Sequence, residues 1–458
     1  MSVDCTGQRS EVRRISTAPC APQSVVSQLL DCRTGDVQIS WQSSKGAQIY
    51  YAQAKSSDKT LVCNSTSTSC IIPAVGCGQT YNITVIAEAN GCSSNASVTS
   101  QVTAAPCPPL NIQSIMSCDS NTASVSWSSG NGALSFMMRL ECSNGQTYIC
   151  RTNETGCNIT NMACGQTCTV KVVALGRSCN SSEGTGSPVI TGPCVPQNVS
   201  ASVSCSSNIA SVTWGSSQGA ELYTVTASSA NGLSANCTST STSCNLLTLT
   251  CGQSYTITVK AKGSNCSSGN SAPVQVQAVP CTPSNVLPTV DCVTNALVVS
   301  WTPGAGGQYY IATLQDSNGL STTCQSSGSQ CNVTGLRCGQ LYHVNVTASD
   351  GLCSSPPSAT VNTNSAPCDP QNITTVLQCD TNTANVTWAA SAGANGYTAM
   401  ATDRQQQRLA SCHSMGTSCQ LTSLPCGMRL NVTLQADGIT CNSSSQPKAV
   451  VETGDRSC

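Results

Sequence analysis

Thirty of the 34 cysteines return on an interval of about 87 residues, and no other feature limits the fold of this chain so sharply. One set runs Cys20, Cys32, Cys63, Cys70, Cys77, Cys92, and the next Cys107, Cys118, Cys150, Cys157, Cys164, Cys179. The pattern continues as Cys194, Cys205, Cys237, Cys244, Cys251, Cys266 and as Cys281, Cys292, Cys324, Cys331, Cys338, Cys353, and closes with Cys368, Cys379, Cys412, Cys419, Cys426, Cys441. Cys5, Cys142, Cys168 and Cys458 stand outside it. A fixed period of this size reads as an array of one repeated unit. Cysteines in such number belong to an oxidising compartment, where they pair as disulfides. Zinc would want Cys-x2-Cys pairs or nearby histidines. No Cys-x2-Cys occurs, and His343 and His413 are the only histidines. No metal or other cofactor is expected.

Each set carries one tryptophan nine residues after its second cysteine: Trp41, Trp127, Trp214, Trp301 and Trp388. The tryptophan closes an alternating run such as Ala123-Ser124-Val125-Ser126-Trp127, the period-two signature of a half-buried strand. Downstream, Cys-Gly-Gln leads into a second alternating run, Tyr81-Asn82-Ile83-Thr84-Val85, with Tyr81, Ile83 and Val85 on one face. Pro-Cys-x-Pro at Pro106 to Pro109 marks a boundary that recurs at Pro193, Pro280 and Pro367. Only 9% of residues are charged and 3% aromatic, while Ser, Thr, Asn, Gly and Val abound, which favours short strands separated by turns over helices. The chain is therefore expected to be all-β.

An early-strand tryptophan, a Cys-Gly-Gln-x-Tyr approach to a late strand and this unit length together resemble the fibronectin type III module. The six-cysteine decoration is similar to that of the fibronectin type III domain-containing protein 7 family. The resemblance implies extracellular repeats: a linear tandem array of immunoglobulin-like β-sandwich modules stapled by disulfides. The expected modules cover residues 19–105, 106–192, 193–279, 280–366 and 367–458, with residues 1–18 as the final strand of an incomplete preceding module. Tyr81, Tyr255 and Tyr342 match the tyrosine corner of such sandwiches, but the second repeat has Cys168 there and the fifth Leu430. No Arg-Gly-Asp occurs.

A unit with so few aromatics has a thin core, a deficit that small secreted domains offset with disulfides. Placed on the sandwich, Cys63 and Cys70 should join the neighbouring edge strands C′ and E. Cys32 near the A–B turn and Cys77 in the E–F loop share one pole, which suggests Cys32–Cys77. Cys20 opening strand A and Cys92 ending strand F share the other, which suggests Cys20–Cys92. A Cys92–Cys107 bond would have to span strand G, about 30 Å when extended, whereas a disulfide holds its Cα atoms within about 7 Å. Cys142 and Cys168 should close across strands C and F, replacing the tyrosine corner. Cys5 and Cys458 then lack partners, as in a window cut from a longer array or a protomer whose first strand completes a neighbour's sandwich.

Fifteen Asn-x-Ser/Thr sequons occur. The candidate glycan sites are Asn64, Asn82, Asn95, Asn153, Asn158, Asn180, Asn198, Asn332, Asn345, Asn372, Asn385, Asn431 and Asn442, with Asn82 and Asn431 facing outward on strand F; Asn236 and Asn265 have cysteine in the middle position and are poorer acceptors. N-linked glycans would supply the solubility that so few charges do not. The formal net charge of −1 leaves no phosphate-neutralising patch, so nucleic acid is not an expected partner. No apolar run is long enough to span a membrane, and Met1 to Ser16 contains no signal peptide, so the exporting signal is expected to lie outside this sequence. Neither histidine has a triad setting, and acidic residues stand singly, with no carboxylate pair or calcium loop. The expectation is a non-enzymatic protein with protein partners, either a glycosylated structural or adhesive rod or filament, or a receptor-type ectodomain with a ligand at a module junction. The second repeat, with Phe136-Met137-Met138-Arg139, is the most divergent, but alternation assigns that segment to core packing.

Overall fold

The computed structural model describes residues 11, 15, 17–443 and 447–454. Most of the strand expected over 1–18, and both Cys5 and Cys458, lie outside these residues. Every regular element among them is a β-strand. In the first repeat, β1 (Val26–Asp31), β2 (Asp36–Ser40) and a strand at Ser69–Ile72 make one antiparallel sheet. The facing sheet is built on Ile49–Lys55 and Thr80–Ala89, with Thr60–Ser65 at one edge and Cys92–Ser93 and Ser100–Thr103 at the other. The same pair of sheets, three strands against four or five, returns in every repeat. Alternation carries the burial: Tyr81, Ile83, Val85 and Ala87 are fully inside, while Asn82 between them is exposed.

The described chain divides into two compact units, 1–197 with 216–223 and 260–270, and 198–215 with 224–259 and 271–458, so the third repeat contributes to both. In the first unit, Trp41 lies 5.3 Å from Tyr50 and Trp127 lies 5.5 Å from Phe136 between ring centroids. In the second, Trp301 lies 5.7 Å from Tyr310 and Trp388 lies 5.2 Å from Tyr397. Such tilted and edge-on pairs add to what area burial alone gives. Phe136 and Met138 face the core as alternation requires.

A left-handed residue closes each first hairpin, and in the third and fourth repeats its side chain ties three segments together. In the second unit, Asn295 (φ 51°) donates from Nδ2 to Leu336 O at 3.1 Å, and its Oδ1 accepts the Ala366 amide at 3.0 Å. Asn208 does the same with Leu249 O and the Val279 amide, both at 2.9 Å. Asparagine tolerates this conformation and supplies one donor and one acceptor at once. The clamp gathers the first turn, the loop before the long central strand and the end of the last strand at one pole of the sandwich. The second and fifth cysteines lie on the first two of these segments.

Candidate functional site: the disulfide joints

The cysteines at that pole bond outward. Cys32 is joined to Cys179, Cys118 to Cys266, Cys205 to Cys353 and Cys292 to Cys441, with Cα–Cα distances of 5.2–5.6 Å. Cys77 is joined to Cys107, Cys164 to Cys194, Cys251 to Cys281 and Cys338 to Cys368, at 4.9–5.0 Å. The rule is uniform: the second cysteine of a repeat bonds the sixth of the next, and the fifth bonds the first of the next. The expected Cys32–Cys77 and Cys20–Cys92 bonds are therefore not formed, and Cys20 and Cys92 are exposed thiols. Cys32 and Cys77 do share a pole, since both line one small cleft, but Pro106, Pro108, Ser181 and Ser182 of the following repeat line it too. Treating each sandwich as closed hid those partners. Cys379 is also disulfide-bonded, and Cys426 is an exposed thiol.

Glycine lets the backbones meet at each joint. Within the first unit, a Cβ on Gly78 or Gly165 would collide with the carbonyl of Asn131 or Gln218 in the next repeat. Within the second, Gly252 and Gly339 stand in the same relation to Ala305 and Ala392. Each of the four has φ between 65° and 70°, so the position demands glycine twice over. The same carbonyls accept the amides of Cys107, Cys194, Cys281 and Cys368 at 2.9–3.0 Å. The glycine of Cys-Gly-Gln is thus a packing requirement of the joint.

Inside the repeats, Cys63–Cys70 joins the strands at Thr60–Ser65 and Ser69–Ile72, and Cys150–Cys157, Cys237–Cys244, Cys324–Cys331 and Cys412–Cys419 repeat it. Cys142 and Cys168 sit directly opposite each other in register and are bonded. The hydroxyls of Tyr81, Tyr255 and Tyr342 accept the amides of Gly76, Thr250 and Arg337, five residues upstream, at 3.0–3.1 Å. Both departures from that corner have a physical reason. In the second repeat, where Cys168 replaces tyrosine, Tyr148 reaches in from the edge strand at Thr147–Thr152, two strands away, and accepts the Ala163 amide at 3.2 Å. In the fifth, the residue five before Leu430 is Pro425, which has no amide hydrogen to satisfy. Tyr148→Phe should therefore destabilise the second repeat by roughly 1–3 kcal/mol, the cost of stranding a partly buried amide, as a lowered urea midpoint. An unchanged midpoint would mean that water takes over the bond.

The fibronectin type III domain model matches residues 195–277 and 282–364. These two stretches are tandem fibronectin type III domains. Human fibronectin type III domain-containing protein 7 is 29% identical to it over 94% of this chain and 58% of its own length. The mouse protein of the same name is 28% identical over 73% of this chain and 45% of its own length. The chain thus spans about half the length of the curated relatives it matches.

Further features belong to individual modules. A serine two residues after each sixth cysteine anchors the central strand: Ser94, Ser181, Ser268, Ser355 and Ser443 accept amides of Ala87, Ala174, Ala261, Ala348 and Ala436 at 2.8–3.0 Å. Sequence reading missed these anchors, although Cys-x-Ser recurs at every repeat. In the second module, Arg139 Nη2 meets Glu183 at 2.7 Å and Lys171 Nζ meets Glu141 at 2.8 Å. The Lys171 hydrogen bond holds the Glu141 carboxyl below its ordinary pKa, and the same bond raises that of Lys171. Glu183 also lines a cleft of about 770 Å³ with Asp31, Cys32, Arg33 and Asn180.

Of the candidate glycan sites, Asn64, Asn82, Asn95, Asn153, Asn158, Asn180, Asn198, Asn332, Asn372 and Asn442 are exposed. Asn345, Asn385 and Asn431 are half-buried, so Asn431 is less open than its outward register suggests. Asn82 Oδ1 accepts Gln101 Nε2 at 2.9 Å, which leaves its Nδ2 available for a sugar. His413 Nδ1 lies 3.3 Å from Asp437 and 3.2 Å from Thr398 Oγ1. A relay needs its acid and its hydroxyl on different ring nitrogens, and here both sit on one. His343 Nδ1 meets Asn362 Oδ1 at 2.7 Å.

Proposed function

We propose that this is a non-enzymatic, glycosylated extracellular protein of structural or adhesive kind, whose tandem fibronectin type III modules carry load. The single observation behind this reading is that every joint described above has two disulfides. They create a covalent short-cut. From Cys107 the path runs eleven residues to Cys118, crosses to Cys266, returns fifteen to Cys251, crosses to Cys281, and runs eleven to Cys292 and its bond to Cys441. That is 37 residues in place of 334. Fully extended, 37 residues reach about 130 Å, while 334 would reach over 1,000 Å. An array wired this way cannot lengthen by unfolding. Pulled singly between Cys107 and Cys441, oxidised protein should yield little new contour length, and reduced protein should yield a long unfolding series. Oxidised molecules that extend as far as reduced ones would sink the load-bearing reading. Enzymatic deglycosylation with intact mass should remove sugar from the exposed sequons; an unchanged mass would refute the glycoprotein assignment.

A second reading, a receptor-type ectodomain or secreted binding protein, has one observation in its favour. The Arg139–Glu141–Lys171–Glu183 cluster and the cleft lined by Asp31, Arg33 and Glu183 gather charge at one module junction in an otherwise charge-poor chain. A protein ligand docking there would lose affinity on Arg139→Glu and on adding salt.

A further inference from the structure

Asn180 is a sequon asparagine whose backbone is pinned on both sides. Cys179 before it is bonded to Cys32 of the first module. Ser181 after it donates its amide to Ala174 O at 2.8 Å and accepts the Ala174 amide on its hydroxyl at 2.9 Å. Asn180 itself pairs with Leu175 in an isolated antiparallel bridge. Alternation along this extended segment turns Ser181 inward and Asn180 outward. The Asn180 side chain is exposed and makes no hydrogen bond among the described residues.

Outward here means into the cleft where the first two modules meet. Asp31, Arg33 and Glu183 line it beside Asn180, Ser181 and Ser182. Its volume of about 770 Å³ falls in the range of about 300–1,000 Å³ that holds a bound small molecule. The carboxylates accept hydrogen bonds and the guanidinium donates them, and sugar hydroxyls and an acetamido group can meet both demands. The Arg33 guanidinium has no side-chain partner of its own among the described residues.

We propose that this cleft seats the root of the N-linked glycan on Asn180, so that sugar becomes part of the first joint. The inference deepens the glycoprotein reading above and rests on it. The link forms when Asn180 Nδ2 attacks the anomeric carbon of a lipid pyrophosphate-linked oligosaccharide. The bond from Nδ2 to that carbon forms, the carbon–oxygen bond to pyrophosphate breaks, and the amide proton passes to a base of the transferase. Because the sugar is tethered at the rim, its effective concentration in the cleft is on the order of millimolar, so solvent-exposed contacts of modest strength hold it. Asn442 is the contrast. It also follows a bonded sixth cysteine, Cys441, but the residue in the place of Arg33 is Val293, which is 87% exposed. No guanidinium waits there, and a sugar on Asn442 should stand free.

The test uses the full oxidised chain secreted from cells that attach N-glycans. The undenatured protein is treated with an amidase that cuts the sugar–asparagine bond, and release at each sequon is followed by peptide mass spectrometry. Asn180 should carry sugar and lose it about tenfold more slowly than Asn442, since cutting proceeds through the small fraction of time the root is out of the cleft. Arg33→Ala removes an exposed side chain, leaves the backbone anchors of Asn180 in place and should abolish most of that protection. Equal release at the two sites, or protection unchanged in Arg33→Ala, would overturn the proposal. A bare Asn180 beside occupied sequons elsewhere would also overturn it while leaving the glycoprotein reading intact. A chain with no sugar at any sequon would overturn both.

Discussion

Replacing Cys205 and Cys353 together by serine should lower stability by about 4–5 kcal/mol, the loop-entropy value for a closure near 150 residues. Replacing Cys237 and Cys244 should cost about half as much, because that bond closes a separation of only 7 residues against 148. Denaturant unfolding of the oxidised proteins measures both. Double substitutions are needed, since a single one leaves a thiol free to reshuffle the remaining bonds. Equal losses from the two pairs would mean that the long bonds act through local geometry, and that the inter-module wiring adds little to folding. The numbers are not additive across the array, because the neighbouring Cys251–Cys281 bond already shortens the loop that Cys205–Cys353 closes.

Gly252→Ala or Gly339→Ala should cost roughly 2–4 kcal/mol, combining left-handed backbone strain with overpacking against a neighbouring carbonyl. Gly232→Ala is the matched control. It has φ 80° as well, but a Cβ there meets nothing within 4 Å, so only the backbone cost of about 1 kcal/mol remains. A difference of that size corresponds to several degrees in melting temperature for a module of this length. Should Gly252→Ala and Gly232→Ala melt together, the close approach at the joint is not a tight one.

The sandwich was legible because its signals are local. Trp41 and Tyr81 mark strands by alternation and composition, and the bonds Cys63–Cys70 and Cys142–Cys168 connect strands whose adjacency the fibronectin type III resemblance supplies. The joints were not legible, because a strict period makes one repeat's cysteine indistinguishable from the next repeat's in any argument from spacing. Cys32 has Cys77 on its own pole, and nothing in the sequence says that the module's end meets Cys179. One signal was available. A glycine follows each fifth cysteine, although the left-handed turn there calls for glycine on its own and so points to the neighbouring module only in part. The tyrosine corner shows the opposite case: Pro425 beside Leu430 was readable in advance, while Tyr148 acting in place of a missing tyrosine depends on strand order.

The direction of the wiring also sets a clock on biosynthesis. Cys32 must wait for a partner 147 residues further along, which at about 5–20 residues per second of synthesis is roughly 7–30 s. Cys77 emerges within a third of that time. Each growing chain therefore holds two thiols side by side, a wrong bond available early and the right one late. Any such early bond has to be reshuffled before the native one can form, and each of the first four modules is sealed only after the sixth cysteine of its successor has been made.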